Sequence, residues 1–190
     1  MFNRVAFVTL GFCLGTSQVM AFTINNQPLT RMQKNIETAG TVVSVGLPLT
    51  AGLITIFKHD RKGAVQLLLE TGLTVGTAFA LKNIVREQRP NGSDFQSFPS
   101  DTTALAASGS TFLWRRYGWE YGVPASAMTE FVAYSRVQAH QHRWYDTLAS
   151  SAIAWGYGAL VTTRFQQRYH VTTELEPMPD GGMVRVGLRW

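Results

Sequence analysis

Long apolar blocks separated by short charged breaks organise this chain, a spacing set by helices rather than strands. Phe22 to Lys34 is a polar lead, and Gly40 to Phe57 then runs eighteen residues without a charge, interrupted only by Pro48 and several glycines. That length lies at the lower edge of a membrane span, where Gly and Pro are tolerated, and it equally fits a buried core helix. Lys58-His59-Asp60-Arg61-Lys62 is a charged break. Gly63 to Val85 reads as a second long apolar helix whose interior charge is Glu70, ending near Lys82.

Pro90 and Asn91-Gly92-Ser93 mark a loop, because the residue before a proline avoids helix and Asn-Gly favours a turn. The loop continues to Pro99. Ser100-Asp101 then reads as a helix start, with Ala104 to Trp114 as the body. Arg115-Arg116-Tyr117-Gly118 breaks the chain again, Val123 to Tyr134 is a further helix, and Thr147 to Thr163 is an uncharged one closed by Arg164 to Arg168. From Val171 the pattern changes: Asp180-Gly181-Gly182 precedes an alternation from Met183 to Trp190 that predicts a strand or hairpin. The sum is an all-α bundle of about five or six helices with a short C-terminal strand or hairpin.

Composition narrows the class. The 190 residues suffice for one domain with a real core, and 15% charged against 45% hydrophobic is apolar for a globular chain. The formal charge of +5 comes from scattered or paired arginines, without a basic tract interleaved with aromatics, so no nucleic-acid partner is expected. Residues 1–21 have the form of an export signal: Arg4, an apolar run from Val5 to Leu14, and Val19-Met20-Ala21 before Phe22. Retention of the same stretch as a membrane anchor is the alternative. The single cysteine, Cys13, lies inside it, so thiol and disulfide chemistry are excluded from the remainder. The expected divisions are this leader, a helical domain over residues 22–170, and a strand-like tail over 171–190.

Chemistry concentrates in Ser135-Arg-Val-Gln-Ala-His-Gln-His-Arg-Trp-Tyr-Asp146. His142 and Asp146 are four apart; in a helix they would share a face, and the carboxylate could fix the imidazole tautomer. Arg136 offers a planar fork suited to a phosphoryl group. A basic, solvated turn with an incidental His-Asp pair explains the same residues. His140-x-His142 is weak as a metal motif, and His59 and His170 fall on the other side of the alternating breaks.

Lys82-x6-Arg89-Pro90, then Pro99-Ser100, then Ser135-Arg136-x5-His142-x3-Asp146 resembles the three-part signature of the type 2 phosphatidic acid phosphatase superfamily, which includes bacterial class A acid phosphatases and vanadium haloperoxidases. The resemblance implies a helical bundle holding phosphate between helix ends. Lys82, Arg89, Arg136 and Ser100 would bind the phosphoryl oxygens, His142 would attack phosphorus, and Asp146 would orient it. It implies no metal or cofactor and a phosphorylated small molecule or lipid as substrate, while the export-like leader points to the cell envelope. The expected placement is the inner membrane with the site facing the periplasm, or the soluble periplasm.

One position departs from that pattern. The family's middle motif is Pro-Ser-Gly-His, whereas this chain has Pro99-Ser100-Asp101-Thr102. Thr102 cannot replace the histidine that protonates the leaving oxygen, a role worth about a hundred- to ten-thousandfold in rate. Asp101 adds a carboxylate beside the anion site. Three readings follow: a phosphatase for leaving groups that need little protonation or with another acid (His140, Asp101 or a substrate phosphate), a non-catalytic phosphate or phospholipid binder, and a vanadate-dependent oxidase.

Overall fold

The computed structural model describes residues 27–165 with their side chains and the backbone of two further strands. The expected leader at residues 1–21 lies outside the described residues. Five helices follow in order: α1 (Arg31–Phe57), α2 (Arg61–Val85), α3 (Asp101–Tyr117), α4 (Trp119–Gln138) and α5 (Trp144–Val161). After them β1 (His170–Met178) and β2 (Gly181–Arg189) form an antiparallel hairpin with His170 opposite Arg189.

Two helices are longer than the apolar pattern suggested. α1 begins at Arg31, inside the polar lead, because Thr30 caps it: the Gln33 N–H donates to Thr30 Oγ1 and the Gln33 side chain accepts from the Thr30 N–H at 2.9 Å. It runs unbroken through Pro48, which forfeits only the bond to the Ser44 carbonyl. α4 starts at Trp119 because Gly118, at φ +98°, ends α3 and opens α4 within a single residue.

Successive helices run in opposite directions, so one end of the bundle collects the N-termini of α1, α3 and α5 and the C-termini of α2 and α4. α3 is the central element, packed against the other four. It is buried on every side from Ala106 to Ser110, small residues that let neighbouring backbones approach. Leu47, Leu67, Phe112, Leu113 and Val132 fill the space around it.

Polarity is inverted relative to a water-soluble bundle. Glu70, Thr74, Ser108, Thr111, Thr129 and Ser150 are buried, while Phe57, Leu68, Phe79, Ile84, Trp119, Trp144 and Leu160 are mostly exposed. α1 and α2 are long and apolar enough to cross a membrane, and only 28% of the apolar window of each is buried. A core helix would hide that face, whereas these two leave most of it exposed.

The end remote from the later loops is tied by one buried knot. Arg116 donates through Nε and NH2 to the two oxygens of Asp60, at 2.7 and 2.5 Å, and Tyr117 adds its hydroxyl at 3.0 Å. Arg116 NH1 reaches Thr163 O at 2.6 Å, joining the α1–α2 turn, α3 and the end of α5. Burial alone would raise the Asp60 carboxyl, but Arg116, the Gly63 N–H and Tyr117 outweigh it and hold it below the usual range. His59 sits in this turn, at the end away from the candidate site; the side chain of His170 lies outside the described residues.

Candidate functional site

The opposite end gathers the chemistry-bearing residues. α2 brings Lys82 to its last turn and ends at Arg86, whose left-handed backbone (φ 49°) turns the chain into the loop that carries Arg89. That loop is closed on itself: Arg89 Nε donates to Asp94 Oδ1 at 2.8 Å, and Gly92 N–H to Arg89 O at 2.9 Å. It then delivers Ser97 and Ser100 to the start of α3. Ser100 is fully buried as the N-cap, its Oγ accepting from the Thr103 N–H at 3.3 Å, so its hydroxyl is engaged by its own helix.

His142 does not lie in a helix. It precedes Arg143, the N-cap of α5, so the helical i,i+4 face expected for His142 and Asp146 is not what relates them. Asp146 instead folds back as the third residue of the helix: its Oδ2 accepts from the Arg143 N–H at 2.7 Å and from Ser97 Oγ at 2.6 Å. Its other oxygen, Oδ1, is buried without a hydrogen-bond partner. His142 Nδ1 stands 3.7 Å from Asp146 Oδ2, an electrostatic contact longer than a hydrogen bond. The bond that fixes the ring goes elsewhere, to Ser97 O at 2.6 Å.

That bond decides the tautomer. A carbonyl can only accept, so Nδ1 carries the proton and Nε2 of the neutral ring is left with its lone pair. Burial pushes the imidazole below its ordinary 6.5, and Arg89 and Lys82 push the same way against the opposing pull of Asp146 and Ser97. Neutral pH therefore finds the ring uncharged, with a basic nitrogen in the field of Arg89 and Lys82.

Arg136 is buried at the end of α4 and held by α1. Its NH2 donates to Glu37 O and, at 3.0 Å, to Thr41 Oγ1; Nε contacts Ser135 Oγ at 3.2 Å and NH1 contacts Gln141 Oε1 at 3.3 Å. The approach of α1 to α4 here needs Gly40, because a Cβ at that position would fall 1.9 Å from Ser135 Oγ. Burial lowers the Arg136 pKa; Glu37 and Asp101 oppose that shift, while Arg89 adds to it, which puts all four charges in one field.

Asp101 pairs with lysine rather than with an arginine. Lys82 Nζ lies 3.1 Å from Asp101 Oδ1 and 3.0 Å from Gln96 O, and Lys82 itself is buried. Burial would raise the Asp101 carboxyl, but the Lys82 ammonium and His142 outweigh it and hold it below the ordinary carboxylate range. It is therefore an ionised partner of Lys82, not a stored proton. Thr102 follows it in the first turn of α3, half-buried. His140 lies in the loop between α4 and α5, at φ 52°, lining a cleft of about 470 Å³ with Glu37, Asn91 and Gln141.

The chain is similar to known proteins over this region. The family model described as PAP2 superfamily matches residues 63–170. That match spans more than half of the chain. This protein belongs to the PAP2 superfamily. A lipid A 4'-phosphatase of Helicobacter pylori is 27% identical over 158 residues, covering 77% of this chain and 79% of that relative. The crystal structure of Aquifex aeolicus LpxE shares the fold, with a TM-score of 0.60 at 21% identity over 74% of this chain and 91% of that one. The chain is a phosphatase of the PAP2 type.

Several residues of this candidate site were not marked by the sequence. Ser97 contacts both His142 and Asp146, the one through its carbonyl and the other through its hydroxyl. Glu87 accepts from Arg143 NH1 at 2.8 Å and from the Tyr145 hydroxyl, and its carbonyl holds the Ser97 N–H at 2.9 Å. Arg143 thus ties the start of α5 to the loop after α2. Among the described residues no group of three or more His, Cys, Asp or Glu is placed to hold a metal ion.

Proposed function

We propose that this protein is a metal-independent phosphatase of a lipid phosphomonoester or diphosphate, working through a phosphohistidine at His142. The observation that carries the reading is the 2.6 Å contact of His142 Nδ1 with Ser97 O, which leaves the Nε2 lone pair for attack in the field of Arg89 and Lys82, with Arg136 at the same end of the bundle. Those cations would draw charge from the phosphoryl oxygens as it develops. The N–H groups at the start of α3 add donors, since the hydroxyl of Ser100 is engaged by its own helix.

In the first step Nε2 forms a bond to phosphorus as the bond to the leaving oxygen breaks, and the ring becomes a cation that Asp146 stabilises. Water then attacks phosphorus, releasing phosphate and restoring the neutral ring. Thr102 supplies no proton to the leaving oxygen, and Asp101 is held ionised by Lys82. Leaving groups that are stable without protonation, as in diphosphates and aryl phosphates, are therefore favoured.

Two observations support a lipid substrate. The outward faces of α1 and α2 are apolar, and the Helicobacter pylori relative is named a lipid A 4'-phosphatase. We place residues 22–170 as the catalytic domain in the inner membrane, preceded by an export signal or anchor. The short basic end at Lys58, Arg61, Lys62 and Arg116 would face the cytoplasm and the site the periplasm.

The test is phosphate release from a lipid monophosphate, a lipid diphosphate and an aryl phosphate in mixed micelles. Release from at least one, lost in His142→Ala, is the expected result; no release from any of them sinks the proposal. The Lys82–Asp101 pair and Thr102 favour a second reading, a phosphate binder without turnover. It predicts phosphate binding that survives His142→Ala and weakens in Arg89→Ala.

A further inference from the structure

The groove between α4 and α5 has no part in the chemistry derived above. These two helices touch least of all the pairs that meet. Between them lies an open cavity of about 400 Å³ lined by Glu130, Ala133, Tyr134 and Val137 on one wall and Trp144, Thr147, Leu148 and Ser151 on the other. Both walls follow the spacing i, i+3, i+4, i+7, so each is a single helical stripe, and the antiparallel helices set Val137 beside Trp144 at one end and Glu130 beside Ser151 at the other.

The upper end of the groove adjoins the site. Val137 follows Arg136, Trp144 comes two residues after His142, and Thr147 follows Asp146. Tyr134, Trp144 and Leu148 are more than half exposed, so the mouth of the groove is itself apolar and aromatic. At 1.5 Å per residue the seven-residue stripe is about 10 Å long. Glu130 is its only charged lining residue and lies at the end remote from the phosphate cations, so the stretch nearest the site is apolar and aromatic.

We infer that the α4–α5 groove is the subsite for one hydrocarbon chain of the phosphorylated lipid, entering beside Trp144 with the phosphate against Arg136. The inference rests on the lipid phosphatase reading. One end of the groove lies at the end of the bundle that carries His142, and its exposed mouth is apolar. A head group dissolved in water would gain nothing from it; a chain already in the apolar phase can slide in along the helix stripes. Trp144 fits an interfacial position at the level where head group meets chain.

The experiment fills the groove without touching the cations or His142. Ala133→Trp and Ser151→Phe, in the full chain in mixed micelles, are compared with wild type on a long-chain lipid phosphate and on p-nitrophenyl phosphate. Filling a pocket that reads hydrocarbon changes kcat/KM by roughly tenfold or more. The expected result is such a loss on the long-chain substrate for both variants, with turnover of p-nitrophenyl phosphate retained within about twofold, the retained activity also proving the fold. Equal losses on both substrates in both variants, or an unchanged rate on the long-chain one, overturn the subsite. Wild type that releases phosphate from neither substrate refutes the underlying phosphatase reading instead.

Discussion

Ser97→Ala isolates the residue that holds the site together without touching the substrate. The hydroxyl donates a 2.6 Å bond to Asp146 Oδ2, and both residues are fully buried. Its removal leaves Oδ2 with the Arg143 N–H alone, while Oδ1 already has no partner. A hydrogen bond to a buried charged group is worth about 1.5–3 kcal/mol, so a loss near ~2 kcal/mol in unfolding free energy is expected. The carbonyl of Ser97 survives the change and still fixes the ring through Nδ1. What is weakened is the stabilisation of the imidazolium by Asp146, and at about 1.4 kcal/mol per decade a loss of the same size lowers kcat roughly thirtyfold. KM should stay close to wild type, because Lys82, Arg89 and Arg136 are undisturbed. Steady-state phosphate release and denaturant unfolding in detergent read both numbers. A variant with wild-type kcat, or one whose loss lies wholly in KM, would refute the role given to Ser97.

Three further outcomes follow from the same geometry. Burial together with Arg89 and Lys82 holds His142 below 6.5, so the folded state disfavours the protonated ring and the neutral nucleophile persists as pH falls to that point. The acid limb of kcat/KM, corrected for the ionisation of the substrate phosphate, should therefore lie below pH 6.5, and a limb above it contradicts the assignment. Asp101→Asn frees Lys82 from its 3.1 Å carboxylate partner and should tighten inhibition by inorganic phosphate about three- to tenfold, given the half-exposed setting of Asp101; weaker inhibition would mean that the carboxylate does not compete with anions. Asp60→Asn breaks the buried pair with Arg116 at the far end, costing about 3–5 kcal/mol of stability. Turnover per folded molecule should be unchanged, since that knot lies at the end of the bundle away from His142.

Much of this was legible in the letters, and the failures share a cause. The five helices and the loop from Pro90 to Pro99 follow from apolar blocks and breakers, because those reflect local chemistry. The segments bearing Lys82, Arg89, Arg136 and His142 were identifiable because side-chain types at fixed spacing survive as a pattern. The partner of His142 was not. A main-chain carbonyl such as Ser97 O has no residue signature, and it reaches the ring only because the loop after α2 crosses the start of α5. The helical spacing of His142 and Asp146 pointed to a real proximity for the wrong reason, since His142 lies before the helix and the two remain 3.7 Å apart. Likewise, the anchoring of Arg136 by Glu37 and Thr41 depends on how closely α1 packs at Gly40, which a linear pattern does not encode.

Asp101 changes how the missing histidine is understood. In an empty site its carboxylate pairs with Lys82, where a phosphoryl oxygen would otherwise find the ammonium. Substrate must therefore compete for that cation, and the competition is easier for a diphosphate than for a singly charged ester. On the proposed mechanism, low reactivity toward alkyl phosphates and a preference for highly charged substrates would have a common origin in positions 101 and 102.

The central claim is that His142 Nε2 becomes covalently phosphorylated. Acid-quenched or alkali-quenched protein, taken during turnover of a substrate labelled at phosphorus, tests it directly. A label that is lost in acid, survives alkali, maps to His142 and is absent from His142→Ala is the predicted result. Label on another residue, or turnover that persists in His142→Ala, would contradict it.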